Sequence, residues 1–183
     1  MASNLSTIFN LSLQSGIFPQ LLKTAKVIPI YKAESKMLCS NYRPISLLPI
    51  IGKLLEKIIF TRLTSFVQKY NIIFKRQYGF QTGKSTEHAH IDIQNSILNS
   101  LEKKETPCCL FLDFAKAFDT VNHSILLQKL NHYGIRGTAL QLIESYLTDR
   151  EQCVQVNNAT SDFDFIKHGV PQGSILGPLL YTL

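Results

Sequence analysis

The sequence predicts a fold of the α+β class, in which helices pack with a sheet that contains an antiparallel element. Apolar residues recur at helical spacing in several stretches of the chain. Two alternating stretches, residues 152–156 and 163–166, flank residues 157–158 and predict a β-hairpin. A chain of 183 residues, 45% of them hydrophobic, is long enough for one sizeable domain or for two small subdomains that share a core.

The start of the chain predicts a short helix and then an extended segment. Residues 5–13 are amphipathic at helical spacing, and Gly16 together with Pro19 ends that helix. Residues 26–32 read as a strand. Because proline cannot donate to a sheet ladder, Pro29 predicts that this strand lies at an edge or is irregular.

Two longer helices are predicted between Pro49 and Pro107. The first carries an apolar stripe at helical spacing, formed by Leu54, Leu55, Ile58, Ile59, Leu63 and Phe66. The second is capped by Thr86, and its apolar line consists of Ala89, Ile93, Ile97 and Leu101. Pro107 interrupts the pattern, and we place a subdomain boundary there.

Beyond Pro107 the chain predicts a strand and two further helices. The apolar run of residues 109–112 predicts a buried strand that ends at Asp113. Residues 121–133 have helical periodicity. A capping box of Thr138 and Gln141 is expected to open the next helix.

The charge of the chain is unevenly distributed. Residues 1–105 hold 14 basic and 6 acidic side chains (net +8), whereas residues 106–183 hold 5 and 7 (net −2). This division suits a part that contacts a polyanion joined to a part that binds metal. A solvated basic face without a partner explains the same count, and charge alone leaves both interpretations open.

The cysteines and the apolar runs indicate a protein inside the cell, in the nucleus or the cytoplasm. The four cysteines lack metal-ligand spacing, so we expect free thiols in a reducing compartment. The N-terminus has neither a basic start nor a continuous apolar core, so no signal peptide is predicted. No run approaches the roughly 20 apolar residues of a membrane span, and no membrane partner is expected.

Asp113 is the best candidate for a metal ligand. A carboxylate at the end of a rigid strand is where Mg²⁺ can meet a triphosphate. Asp119 is a poor second ligand, since six residues of extended chain span about 20 Å and six helical steps of about 100° turn it well round the axis. We expect Asp119 to be structural, as a cap of the helix that follows.

Residues 79–85 offer a competing interpretation. They read G-x-x-x-G-K-S, one residue short of the phosphate-loop pattern of nucleotide hydrolases. A true phosphate loop also follows a buried strand, and residues 74–77 make a poor one. A phosphate-loop hydrolase is therefore a remote alternative.

Three motifs together carry a family resemblance. They are Asn-Tyr-Arg-Pro-Ile-Ser-Leu-Leu at 41–48, the segment around Asp113 at 109–119, and Gly-Val-Pro-Gln-Gly-Ser-Ile-Leu-Gly-Pro-Leu-Leu-Tyr at 169–181. From about Phe18 to Leu183 the chain resembles the reverse transcriptases of non-LTR, jockey-like retrotransposons. The resemblance implies RNA-templated DNA synthesis by two-metal nucleotidyl transfer with Mg²⁺, or Mn²⁺ in its place. It also implies three partners: an RNA template, a DNA primer and deoxynucleoside triphosphates.

The resemblance also implies a right-hand fold of fingers, palm and thumb, of which this chain holds a part. We expect a lead-in helix in residues 1–17, a basic fingers-like subdomain in residues 18–106 and a partial palm in residues 107–183. The family continues to an aromatic-x-Asp-Asp box that supplies further metal ligands, and Leu183 lies before that box. We therefore expect the isolated chain to be inactive, and a non-catalytic nucleic-acid-binding remnant is the alternative.

Candidate site residues follow from the same resemblance, motif by motif. Asp113 is the catalytic residue, and it shares the metal site with Phe114. Besides Phe114, the residues expected to bind the nucleotide are Arg43, Phe118, Gln172 and Gly173. Arg43 would grip the triphosphate, and the ring of Phe118 would exclude a 2′-hydroxyl. A further stretch, residues 77–86, resembles the family's Gln-x-Gly-Phe motif of the fingers, which contacts the template. The residues expected to contact the template are Gln77, Gly79, Phe80 and Lys84 in this stretch, with Arg62 as a further basic candidate.

Overall fold

The computed structural model describes residues 2–183, which form six α-helices and five β-strands. The helices are α1 (Ala2–Ser15), α2 (Ile50–Lys69), α3 (Thr86–Glu102), α4 (His123–His132), α5 (Thr138–Leu147) and α6 (Gly177–Thr182). The strands are β1 (Ala25–Tyr31), β2 (Tyr42–Leu47), β3 (Arg150–Val156), β4 (Ala159–Thr160) and β5 (Asp164–Ile166). The mixed helix and sheet content agrees with the predicted class. The helices predicted at the start of the chain, after Pro49 and after Asp119 are confirmed, as is the hairpin around residues 157–158.

The sheet has the strand order β2-β1-β3-β4, with β5 paired to β3. Strand β1 runs antiparallel to β2 and parallel to β3, so the prediction of an edge strand is wrong. Pro29 is tolerated because β3 pairs only with Ala25, Lys26 and Val27, and the ladder on that side ends before the proline. On the other side Pro29 lies opposite Pro44. The register places both prolines at positions that need no N–H within the β1–β2 ladder.

One hydrophobic core joins distant parts of the chain. It contains the buried residues of α2, α4, α5 and α6. Leu55, Leu130 and Leu147 are fully buried in it, and the ring of Phe18 meets that of Tyr146 edge to face with centroids 5.1 Å apart. Each such side chain contributes about 1.5–3 kcal/mol relative to an exposed one. Helix α1 joins the same core through Phe9.

The apolar run before Asp113 does not form the predicted strand. Residues 107–114 belong to no helix or strand, and Leu110 and Phe111 are 82% and 78% exposed. Strand-forming side chains stabilise a strand only through pairing and burial against neighbours. No strand of the part that the structure describes lies alongside this run. Helix α3 is likewise exposed to solvent, with no buried residue and with Ile91 and Leu98 exposed.

Three helix starts differ in detail from the sequence expectations. Ser85, rather than Thr86, caps α3, since its hydroxyl accepts from His88 N–H and the imidazole of His88 accepts from Ser85 N–H. Helix α5 begins after Gly137 without a side-chain cap, so the predicted capping box is absent. The cap of α4 is Asn122, whose Oδ1 accepts from Ile125 N–H at 3.1 Å, and not Asp119. Neighbouring polar residues compete for each cap, and backbone geometry decides between them.

None of the helices within residues 2–183 combines the length and the apolar character that crossing a membrane requires.

Candidate functional site

The turn formed by residues 169–176 is the best-organised part of the candidate site. Two backbone bonds of 2.8 Å clamp its start to the segment before α4, from Gly169 N–H to Val121 O and from Val170 N–H to Phe118 O. A third, from Ser46 N–H to the carbonyl of Gln172, ties the turn to β2 at 2.8 Å. The turn is therefore attached to two separate parts of the chain through main-chain atoms.

Two glycines make these close approaches possible. Gly169 has φ +84°, and a Cβ there would lie 2.7 Å from Asp119 Cα. Gly173 has φ +110°, and its Cβ would lie 2.9 Å from the carbonyl oxygen of Ser46. Both positions combine a left-handed backbone with a backbone neighbour that leaves no room for a side chain. The sequence motif thus has a steric reason at each of these glycines.

A buried carboxylate holds the end of the turn. Glu56, on α2, is 1% exposed, and its Oε2 accepts from Ile175 N–H at 2.7 Å and from Leu176 N–H at 3.2 Å. Burial raises the pKa of Glu56, while these two hydrogen bonds and then the charge of Arg150 oppose that rise. Ser174 completes the arrangement by accepting from Gly177 N–H at 3.0 Å. The backbone groups that lead into α6 are thereby satisfied.

Arg150 is a buried cation whose positive charge acts on this carboxylate and lowers the pKa of Glu56. Its Nη1 donates to the carbonyl of Tyr146 at 3.0 Å, and its guanidinium stacks 4.8 Å from the centre of the Tyr146 ring. Burial lowers the pKa of Arg150 and raises that of Tyr146. A buried acid and a buried base in one core offset part of each other's desolvation cost.

Three predicted residues and two unexpected partners meet beside this turn. Gln172 Nε2 donates to Asp119 Oδ1 at 2.9 Å. The ring of Phe118 packs with those of Phe80 and Tyr181, at centroid distances of 5.7 Å and 5.0 Å. The structure thus brings Gln172, Phe118 and Phe80 into one neighbourhood, although they come from three separate motifs.

Asp113 and Phe114 take no part in these hydrogen bonds and ring contacts. Both are exposed, and they follow the unpaired run of residues 107–112. Across residues 2–183 no three Asp, Glu, His or Cys side chains are grouped so that they could hold a metal ion. The residues present therefore supply one candidate carboxylate and do not by themselves complete a metal site.

The region between α2 and α3 does not form a phosphate loop. In the described chain no strand lies between these helices. The ammonium group of Lys84 donates to the carbonyls of Lys75 and Gln77 and lies 5.2 Å from the centre of the Tyr78 ring. Because this lysine closes its own turn, the phosphate-loop interpretation is wrong. Gln77 likewise donates within the turn, to the carbonyl of Gly79 at 3.1 Å.

The two candidate arginines lie in different surroundings. Arg43 is exposed on β2, opposite Ile30 of β1, and is free to meet a ligand at the sheet surface. Arg62 lies on α2 at the rim of an apolar groove of about 440 Å³, which Phe66 and Arg136 also line. No other predicted site residue lines that groove.

Sequence reasoning missed Glu56, Asp119 and Tyr181. Glu56 could have been suspected, because it is an acidic residue next to Leu55 on the apolar stripe of α2. No local signal shows that the carboxyl group of Asp119 meets Gln172, which lies 53 residues along the chain.

Comparison with known proteins agrees with the motifs and with this arrangement. The family model described as reverse transcriptase (RNA-dependent DNA polymerase) matches residues 30–183. The chain belongs to this family. It is 40% identical over 177 residues to the RNA-directed DNA polymerase from mobile element jockey of Drosophila funebris, and 36% identical over 186 residues to a probable RNA-directed DNA polymerase from transposon BS of Drosophila melanogaster. These alignments cover 96% and 98% of this chain.

The predicted membership among reverse transcriptases of non-LTR retrotransposons is thus confirmed. The same alignments cover 19% and 20% of the two relatives, so the chain spans about a fifth of their length. Reverse transcriptases generally use divalent metal ions, an RNA template, a DNA primer and nucleotides.

Alanine at Gly169 should destabilise the chain more than alanine at Gly83. Both glycines have positive φ, +84° and +78°, so each substitution carries left-handed strain of about 1–2 kcal/mol. Only at Gly169 would the new Cβ meet backbone, while nothing lies within 4 Å at Gly83. The clash should add about 1–3 kcal/mol. Urea unfolding measures both variants, and equal losses would contradict the clamp between Gly169 and Asp119.

The Glu56→Gln variant should become more stable, relative to the unsubstituted chain, as the pH rises. Folding raises the pKa of Glu56 above its ordinary value of 4.5, so the folded chain binds this proton more tightly than the unfolded chain. The stability that this proton confers is present below the unfolded pKa and is lost as the pH rises through the folded pKa. Glutamine keeps an acceptor without the charge. Urea titrations from acid to neutral pH give the free energies of unfolding.

Two further variants control that experiment. Glu56→Leu leaves the N–H groups of Ile175 and Leu176 unpaired, one half-buried and one buried, and should cost about 1–3 kcal/mol for each at every pH. Glu144→Gln, at an exposed position of α5, should show no comparable trend. If Glu56→Gln loses stability relative to the unsubstituted chain as the pH rises, the buried position of the carboxylate is wrong.

Proposed function

We propose that this chain is the nucleotide- and template-contacting part of an RNA-directed DNA polymerase. The observation that carries the proposal is the meeting of Gln172, Phe118 and Phe80 beside one rigid turn. Each belongs to a different motif of the family, so their convergence indicates a shared ligand. Backbone clamps hold the turn, which limits the entropy that a bound nucleotide must remove.

Each wall of this neighbourhood suits a different part of a nucleotide. The flat ring of Phe118 offers a surface to a sugar and resists extra bulk there. Gly173 keeps the turn free of a side chain next to β2. Arg43, exposed on β2, offers the bidentate fork that suits phosphate oxygens. Template contacts are proposed for Gln77, Gly79, Phe80, Lys84 and Arg62.

The metal ion of this proposal is Mg²⁺, with Mn²⁺ as a substitute. Bound metal would supply charge stabilisation to the transferring phosphoryl group. Asp113 would be one ligand, with the backbone of Phe114 beside it. The described residues do not complete that site, so further ligands would come from other parts of the longer protein.

We also propose a division of the chain into an N-terminal helix (residues 1–17), a fingers part (residues 18–106) and a partial palm (residues 107–183) of a right-hand fold. The exposed apolar run of residues 107–112 supports this division. Unpaired strand-forming residues are a template for another strand. In the longer protein, a strand of the palm would pair with this run, bury Leu110 and Phe111, and fix Asp113 at the strand end.

Primer extension on an RNA template tests the proposed function. The protein to use is the longest open reading frame that contains this chain. We expect Asp113→Asn to lower incorporation by more than about 100-fold, because even the outer partners of a metal site are worth 10–100-fold. The control is Asp162→Asn, at an exposed position between β4 and β5, which should leave incorporation unchanged.

Two results would contradict the proposal. If Asp113→Asn extends primers as well as the unsubstituted protein, Asp113 is not the catalytic carboxylate. If no version extends primers while RNA is still bound with a steep dependence on salt, the chain is the non-catalytic nucleic-acid-binding remnant.

A further inference from the structure

We propose that Asp119 is a positioning residue, which fixes the orientation of the Gln172 carboxamide so that its oxygen faces the nucleotide. The inference rests on the proposed function only for the identity of the ligand. The bond itself is a property of this chain: Gln172 Nε2 lies 2.9 Å from Asp119 Oδ1.

The chemistry of the two groups determines which way the amide points. An ionised carboxylate can only accept hydrogen bonds, and of the two amide ends only the nitrogen can donate. The nitrogen of Gln172 must therefore face Asp119, and Oε1 must point away from it. Without Asp119, the amide could turn over with little cost.

Asp119 is itself held by main-chain contacts. Its N–H donates to the carbonyl of Lys116 at 2.8 Å. The flanking Phe118 and Val121 accept from the backbone of the turn, and Gly169 lies directly against Asp119 Cα. The carboxylate is thus attached to the same turn that carries Gln172, so its position does not depend on a flexible side chain elsewhere.

This orientation restricts what Gln172 can bind. A free carbonyl oxygen accepts hydrogen bonds, so it suits a sugar hydroxyl or a base amino group and not a phosphate. The nearby carboxylate would also repel a triphosphate. Gln172 is therefore assigned to the sugar or base side of the nucleotide, next to Phe118, which leaves the triphosphate to cations such as Arg43.

The first readout is the side-chain amide signal of Gln172 in the 183-residue chain labelled with nitrogen-15, assigned with Gln172→Leu. We expect Asp119→Ala to move this signal to the position of an exposed glutamine, while the amide signal of exposed Gln128 stays fixed. Asp162→Ala is the matched control and should move neither signal. An unchanged Gln172 signal in Asp119→Ala would overturn the positioning role.

The second readout is the dissociation constant for dTTP, measured at a temperature where every variant is folded. We expect Asp119→Ala and Gln172→Ala each to raise this dissociation constant about tenfold. The first substitution removes the group that orients the amide, and the second removes the amide itself. The double variant should be no worse than either, because both substitutions remove the same function. Asp119→Asn can donate as well as accept, so it no longer fixes which end of the Gln172 amide faces it, and it should weaken dTTP binding as Asp119→Ala does.

The two readouts separate this inference from the proposed function. Additive effects of the two alanine substitutions on dTTP binding would overturn the positioning role while leaving nucleotide binding intact. If no variant binds dTTP, nucleotide binding by this chain fails. The amide signal then decides by itself whether Asp119 orients Gln172.

Discussion

The placement of the candidate site depends on the two hydrogen bonds that the buried carboxylate of Glu56 accepts. The carboxylate accepts from two successive backbone groups just before α6, and Pro178 near the start of that helix has no N–H to contribute. A helix start that is buried without acceptors is costly. Burying the acid has its own cost, which the two hydrogen bonds and the charge of Arg150 offset only in part. Because Glu56 belongs to α2, the turn is fixed to a helix of the core.

The site consequently has one ordered side and one unpaired side. The turn that carries Gln172 is held by α2, by β2 and by the segment before α4, through bonds that the chain makes with itself. The run that leads to Asp113 depends on pairing, and the described residues give it no neighbouring strand. The turn that carries Gln172 can therefore be ordered where Asp113, the proposed metal ligand, is not. We propose that pairing with more of the longer protein is what completes the site.

The helices and the motifs were predictable from sequence because their signals are local. The apolar stripe on α2 and the periodicity of residues 121–133 predict which helix faces are buried. The glycines of the turn indicate positions where the backbone leaves no room for a side chain. Features that depend on distant partners were not predictable. Residues 109–112 have the composition of a strand but lack a neighbouring strand. Pro29 is tolerated because β3 pairs only with residues 25–27 of β1. Asp119 accepts a hydrogen bond from Gln172, which lies 53 residues further along the chain.

Amide hydrogen exchange, measured residue by residue on the 183-residue chain, tests the contrast between the two sides most directly. We expect slow exchange at Val170, Ile175 and Leu176, whose N–H groups are hydrogen-bonded within the chain. We expect exchange at the rate of an unfolded chain for residues 110–114. Protection of residues 110–114, or rapid exchange throughout the turn, would contradict a turn that is ordered before Asp113 is held in place.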